Sequence, residues 1–86
     1  MEHATHTRVA AVIGRVVGSS RIPPDVGPAT PLGEGGLWLD SIELLEALIA
    51  CQHEFGIVLS SEDDLTPEAM ETVGSLTRLL EARCRA

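Results

Sequence analysis

Residues 40–56, DSIELLEALIACQHEFG, are the stretch that decides the fold. Asp40 and Ser41 precede the first apolar residue, where short oxygen-bearing side chains accept hydrogen bonds from the N–H groups of a first helical turn. Gly56 follows the last apolar residue and suits a left-handed helix end. Apolar residues between them recur at intervals of four, three and four residues, as in an amphipathic helix: Leu44, Leu48, Cys51 and Phe55. The stretch therefore predicts one helix, with Ser41 at its N-terminal tip.

The position of Ser41 suits an anionic group. A helix N-terminus stabilises a negative charge by roughly 0.3–1 kcal/mol, and its free N–H groups bind phosphate oxygens. A hydroxyl at this tip points out of the end of the bundle and is accessible from solvent. A phosphate ester on Ser41 would therefore lie in a favourable electrostatic environment. On residue chemistry alone, the simpler interpretation is that Ser41 is only a helix N-cap.

The residues around and after Ser41 form a longer pattern. An acidic residue follows the serine by five positions, an aromatic residue precedes the helix end, and an aliphatic residue, an acidic run and a Thr-Val pair follow in order: Glu46, Phe55, Ile57, 62–64 and 72–73. Together with Asp40-Ser41-Ile42, this set resembles the acyl and peptidyl carrier proteins, in which the serine of an Asp-Ser-Leu motif receives 4′-phosphopantetheine. The resemblance covers about residues 32–80. The family often has glycine two residues before the aspartate, whereas this chain has Trp38.

The resemblance implies a carrier function without catalysis. A phosphopantetheinyl transferase would move the arm from coenzyme A to Ser41, using magnesium held mainly by the transferase. The thiol of the arm would then carry an acyl or aminoacyl group as a thioester, in fatty-acid-like, polyketide or other specialised biosynthesis. Asp40 would help to engage the transferase, and one face of the helix would dock loading and processing enzymes that present basic patches. The expected docking residues are Ile42, Glu43, Glu46, Ile49 and His53.

Charge is segregated along the chain, which has a formal net charge of −7 and no lysine. Eleven of the thirteen acidic residues lie between residues 22 and 77, a segment that contains no arginine. The arginines flank it: Arg8, Arg15, Arg21, Arg78, Arg83 and Arg85. Such an acidic centre repels nucleic acid and anionic membranes and would steer basic protein surfaces toward itself. The alternative is a solvated acidic face that serves solubility alone.

Length and composition indicate one small helical domain. The chain has 86 residues, of which 44% are hydrophobic, with one Trp, one Phe and no Tyr, so its core is aliphatic. Cys51 and Cys84 do not form the disulfide framework of a secreted domain. The apolar run from Val9 to Val17 is far shorter than the about 20 residues that span a bilayer. We therefore expect a monomeric cytoplasmic protein that binds neither nucleic acid nor membrane.

Taken in order, the chain predicts an all-α fold, a small four-helix bundle with three longer helices and one short one. Residues 1–6 are expected to form a disordered tail, before a first helix from about Thr7 to Val17 that ends at Gly18. Residues 18–39 contain four of the five prolines and five of the eight glycines. They therefore predict a long loop between helices 1 and 2.

The remaining segments are expected to pack around the central helix. Leu-Trp-Leu at residues 37–39 would fix the end of the long loop in the core, and residues 57–59 would be a buried connector. Residues 60–64 read as a polar loop. Thr66-Pro67-Glu68 predicts the start of a short third helix that extends to about residue 71, and Thr72 would cap the last helix.

Other chemistries fit the spacing less well. A nucleophilic serine needs a base within hydrogen-bond reach, but His53 lies twelve residues from Ser41 on the same helix, about 18 Å away at 1.5 Å per residue. His3 with His6, and Cys51 with His53, lack the paired spacing of structural zinc ligands, so we expect no metal site. A second hypothesis stays open, in which the acidic helix face binds a basic partner and the chain has no prosthetic group.

Overall fold

The computed structural model describes residues 5–59 and 64–85 and contains three α-helices. These are α1 (Thr5–Val17), α2 (Ser41–Phe55) and α3 (Val73–Arg85), with a short 3₁₀ helix at Ser19–Arg21. Within the described residues there is no β-strand, and Pro31 and Thr72 form an isolated bridge. α1 packs against both α2 and α3. The all-α prediction is confirmed as a small helical bundle.

The hydrophobic core lies between the three helices and beneath the long loop. Its buried side chains are Val9, Val12, Ile13, Leu32, Leu37, Ala47, Leu48, Cys51, Leu59, Val73, Leu76 and Leu80. Leu44 and Phe55 pack against this cluster, so the apolar stripe predicted for α2 is confirmed. Each fully buried aliphatic side chain contributes about 1.5–3 kcal/mol relative to an exposed one.

The predicted helix ends at two glycines are also confirmed. α1 ends at Val17, and Gly18 has a positive φ of 105°. α2 ends at Phe55, and Gly56 has left-handed backbone angles (φ 67°, ψ 37°) while its N–H donates to the carbonyl of Gln52. A glycine adopts this conformation without the steric conflict that a Cβ introduces, which is why each helix ends there.

The expected short third helix is not formed. Thr66 caps as predicted, since its Oγ1 accepts from the N–H of Ala69 at 3.2 Å. The segment nevertheless makes only a single turn, closed by the Met70 N–H to Thr66 carbonyl bond of 3.1 Å. The hydroxyl of Ser75, in the first turn of α3, donates to the carbonyl of Ala69 at 2.9 Å. Only five residues separate the Thr66 and Thr72 caps, so the chain enters α3 before a second turn can form.

The long loop is held in place by the N-terminus of α3. The first two N–H groups of this helix, at Val73 and Gly74, donate to the loop carbonyls of Thr30 and Pro28 at 2.9 and 2.8 Å. The next two N–H groups of the helix donate to Thr72, to Oγ1 at 3.0 Å and to the carbonyl at 3.1 Å. All four donors that a helix leaves without an internal partner are thus satisfied, and Thr72 caps α3 as predicted.

Two predicted segments fall partly outside the described residues. Residues 1–4 of the expected tail lie outside them, whereas Thr5 and His6 belong to α1. Residues 60–63 of the expected polar loop also lie outside, and the adjoining Asp64 is buried, with its carboxylate bound to Arg83. None of the described helices combines the length and the hydrophobicity that crossing a membrane requires.

Candidate functional site

Ser41 is the first residue of α2 and is exposed to solvent. Within the described part of the chain, no hydrogen bond engages its hydroxyl. The hydroxyl is therefore accessible and has no structural partner that a modification would displace.

Asp40, and not Ser41, is the N-cap of α2. Its Oδ1 accepts from the N–H of Glu43 at 2.7 Å, and its own N–H donates to Oε1 of Glu43 at 3.2 Å, which together form a capping box. Such a cap stabilises a protein by about 1 kcal/mol relative to alanine. The interpretation of Ser41 as a simple N-cap is therefore wrong, because the preceding residue already performs that role.

The first two amides of α2 are open. Those of Ser41 and Ile42 have no acceptor among the described residues, whereas the N–H groups of Glu43 and Leu44 both donate to Asp40. At α3 the equivalent first two amides are satisfied by loop carbonyls. The N-terminus of α2 thus offers two free donors beside the serine hydroxyl, an arrangement that suits phosphate oxygens.

Arg21 joins the long loop to the first turn of α2. Its Nη1 donates to Oε2 of Glu43 at 2.9 Å, and its Nη2 donates to the carbonyls of Leu37 and Trp38 at 3.2 and 3.1 Å. The hydrogen bond from Arg21, followed by that from the Asp40 N–H, lowers the pKa of Glu43 below its ordinary value, and the same ion pair raises the pKa of Arg21. The sequence did not predict this pair, because Arg21 and Glu43 are 22 positions apart in the chain and Asp25 is the acidic residue nearest to Arg21 in sequence.

Trp38 is exposed, with 61% of its surface accessible, so the prediction that it fixes the loop in the core is wrong. Its neighbours follow that prediction, since Leu37 is buried and Leu39 packs against the core. Trp38 also has a positive φ of 57°, the left-handed conformation that side chains rarely adopt. This backbone turn directs the tryptophan side chain away from the interior.

Replacing Trp38 by glycine is expected to stabilise the fold. The change removes left-handed strain of roughly 1–2 kcal/mol, against a cost of about 0.5–1 kcal/mol for the greater freedom of glycine in the unfolded chain. The net gain should lie between about 0 and 1.5 kcal/mol, centred on about 0.75 kcal/mol. Urea denaturation followed by helical circular dichroism measures it. Trp38→Ala is the matched control, because it removes the ring but keeps the strain. A Trp38→Gly protein no more stable than Trp38→Ala would contradict this expectation.

The outer face of α2 is largely apolar. Ile42 and Ile49 are exposed, and so is Leu45, which was missed although it lies between them at helical spacing. Glu46 and His53 are exposed on the same helix. We call these five residues the α2 outer face. Glu43, expected among the docking residues, has its carboxylate bound to Arg21, so its charge is already paired within the protein.

The arginines that flank the acidic centre in sequence meet several of its acids in space. Arg8 and Arg15 contact Glu54 at 3.3 and 2.9 Å, and hydrogen bonds from Arg15 and then Arg8 lower the pKa of Glu54. Arg8 also lies over the ring of Phe55, 4.4 Å from its centroid. Such exposed pairs add little stability, but they reduce the free negative charge of the centre.

The two cysteines differ in environment. Cys51 is fully buried in the core, and burial raises the pKa of its thiol to about 11. Cys84 is exposed, and both are free of disulfide bonds. Among the described residues, no group of three His, Cys, Asp or Glu side chains is placed to hold a metal ion.

A scan against protein-family models and searches of curated proteins and of solved structures found no match to this chain. The residues around Ser41 and their geometry are therefore the features of the molecule that bear on its function.

Proposed function

We propose that this chain is a discrete carrier protein whose Ser41 receives a 4′-phosphopantetheine arm. The observation that carries the proposal is the exposed Ser41 hydroxyl at the first position of α2. No hydrogen bond from the described residues engages it, because Asp40 caps the helix. A serine at a helix tip that does not cap the helix can serve as an attachment point without loss of the cap. Two open amides beside it would bind oxygens of the phosphodiester.

The resemblance to the carrier family supports the same assignment. Position 38, where that family often has glycine, has a left-handed backbone in this chain, the conformation for which glycine is best suited. The conformation is thus compatible with the family pattern although the residue is tryptophan.

The carrier would act as a substrate and a shuttle. The arm would supply the thiol that holds an acyl or aminoacyl group as a thioester, and the reactions on that group would belong to partner enzymes. By capping α2, Asp40 would keep its first turn helical, in the conformation that the phosphopantetheinyl transferase binds. We further propose that the chain works as a monomer in the cytoplasm, in fatty-acid-like, polyketide or other specialised biosynthesis.

Intact mass spectrometry tests this function. The purified chain is incubated with coenzyme A, Mg²⁺ and a phosphopantetheinyl transferase of broad specificity. A gain of one phosphopantetheine, located at Ser41 by peptide mapping, is the expected result. A chain that keeps its original mass, with a positive-control carrier modified in the same tube, would contradict the proposal.

The α2 outer face favours one alternative function, a helical interaction module without a prosthetic group. Exposed Ile42, Leu45 and Ile49 form an apolar strip along the helix, and such strips are found at protein interfaces. This alternative predicts no mass gain and an intact Ser41 in the experiment above.

If the α2 outer face docks the transferase, Glu46→Lys is expected to slow modification several-fold at low salt. Glu46 is the acid of this face, and no salt bridge to another described residue engages it. Reversing its charge would repel a basic partner surface. The loss should shrink as the ionic strength rises, since the screening length falls from about 10 Å at 0.1 M to about 3 Å at 1 M salt.

The matched control for this change is Glu68→Lys, the same charge reversal at an exposed position outside α2. It should leave the initial rate of modification within about twofold of the wild-type rate. Equal losses for the two variants, or a loss at Glu46 that ignores salt, would contradict electrostatic docking on this face.

A further inference from the structure

Arg21 contacts residues on both sides of Ser41. Glu43 lies two positions after the serine, and Nη1 and Nη2 of Arg21 donate to its two carboxylate oxygens at 2.9 and 3.2 Å. Nη2 also donates to the carbonyls of Leu37 and Trp38, which precede Ser41 in the chain. One guanidinium therefore fastens the end of the loop to the first turn of α2, with the serine between the two attachment points.

The network continues to the residue directly before Ser41. Glu43 accepts from the N–H of Asp40 through Oε1, and its own N–H donates to Oδ1 of Asp40. The side chains of Arg21 and Glu43 are 35% and 27% exposed, against 65% and 35% for Arg15 and Glu54. The Arg21 pair is therefore less screened by solvent than the Arg15 pair.

The network of Arg21 holds a strained backbone turn at Trp38. A tryptophan at φ 57° tends to relax to a negative φ, because only glycine adopts left-handed angles without steric cost. Such a relaxation would rotate the carbonyl of Trp38 away from Nη2 of Arg21. The hydrogen bonds to two successive carbonyls thus oppose the relaxation and fix the path of the chain into Ser41.

We propose that Arg21 is a positioning residue, which holds the turn at Trp38 and thereby presents Ser41 to the enzyme that modifies it. This role rests on the proposed function of Ser41 as an attachment point. The planar guanidinium is required, because its fork of donors reaches a carboxylate and two carbonyls at once. A lysine at this position offers a single ammonium group that cannot span the four acceptors.

The test is a double-mutant cycle on the kinetics of phosphopantetheine transfer. Arg21→Gln is expected to lower kcat/KM of the transferase for this chain roughly tenfold, chiefly through KM, since fewer molecules would hold the competent turn. Arg15→Gln removes an arginine ion pair elsewhere and should stay within about twofold of wild type. Circular dichroism must show both variants folded at the assay temperature.

The second arm of the cycle separates positioning from a general loss of stability. Glycine adopts the left-handed turn without help, so the loss caused by Arg21→Gln should be much smaller in the Trp38→Gly background than in the wild-type background. Trp38→Ala, which removes the ring and keeps the strain, should give no such relief. If Arg21→Gln does not fold, Arg21→Lys takes its place in the same cycle, with the same pattern expected.

Two results would overturn the positioning role alone: a folded Arg21→Gln chain modified at the wild-type rate, or an equal loss in the Trp38→Gly and wild-type backgrounds. A wild-type chain that gains no arm would overturn the carrier function and, with it, this role. The outcomes are thus distinguishable, because the first two require a wild-type chain that is modified.

Discussion

Replacing Ser41 by alanine is expected to abolish attachment of the phosphopantetheine arm and to leave the helical fold intact. The transfer needs the hydroxyl oxygen, and no other residue at the tip of α2 supplies one. The fold does not need it, because Asp40 caps the helix and Ser41 is exposed. The free energy of unfolding should therefore change by no more than about 0.5 kcal/mol. Intact mass and urea denaturation measure the two effects.

Two controls make the loss specific. Ser20→Ala removes another exposed serine and should be modified like the wild-type chain. Asp40→Ala keeps the hydroxyl but removes the cap, so it should cost about 1 kcal/mol of stability and slow modification without preventing it. A Ser41→Ala chain that still gained the arm would end the proposal that this serine is the attachment point.

Gly36→Ala is expected to cause the largest loss of stability. A Cβ at this position would lie 2.1 Å from the carbonyl oxygen of Pro31 and 2.8 Å from its carbon, so the backbone must move. The same carbonyl accepts from the N–H of Leu37 at 2.9 Å, and Leu37 is buried in the core. Overpacking together with a broken buried hydrogen bond should cost about 3 kcal/mol.

Gly33→Ala is the matched control in the same loop. No atom lies within 4 Å of a Cβ at Gly33, and its φ is not positive, so the substitution should change stability by no more than about 0.5 kcal/mol. Urea denaturation followed by circular dichroism compares the two variants. Similar midpoints for Gly36→Ala and Gly33→Ala would mean that the close approach of Pro31 is not maintained in solution.

The parts of the fold that were predictable from sequence are those with local signals. α2 has an apolar stripe, a capping residue and a terminal glycine within seventeen residues, and the structure places its ends at Ser41 and Phe55. The core positions of α1 and α3 followed from the same periodicity. In each case neighbours in the chain determine the outcome, so spacing is sufficient.

The parts that were not predictable depend on contacts between distant segments. The turn at Thr66 stops short because α3 begins so soon after it, and Trp38 faces solvent because its backbone is left-handed. Arg21 lies 22 positions before Glu43, so no pattern in the sequence marked the pair. The acidic centre likewise loses part of its free charge to arginines from outside it.

Most residues of the candidate site were predicted from the sequence, but the structural role of each one was not. Ser41, Asp40 and four of the five α2 outer-face residues were named from the sequence, whereas Leu45 was missed. The roles of the named residues in modification and docking stay predictions. The structure assigns the cap to Asp40 and the pairing of Glu43 to Arg21. Which of two adjacent polar residues caps a helix depends on backbone angles, and no residue pattern states those.

If Ser41 carries an acyl group on a phosphopantetheine arm, as proposed, the buried Cys51 cannot take that group. An acyl group moves from one sulfur to another only when a thiolate attacks the thioester. Cys51 has no accessible surface and a thiol pKa of about 11, so near neutral pH it supplies no such nucleophile. Direct acyl transfer to Cys51 is therefore prevented in the folded chain, which leaves Cys84 as the solvent-exposed cysteine.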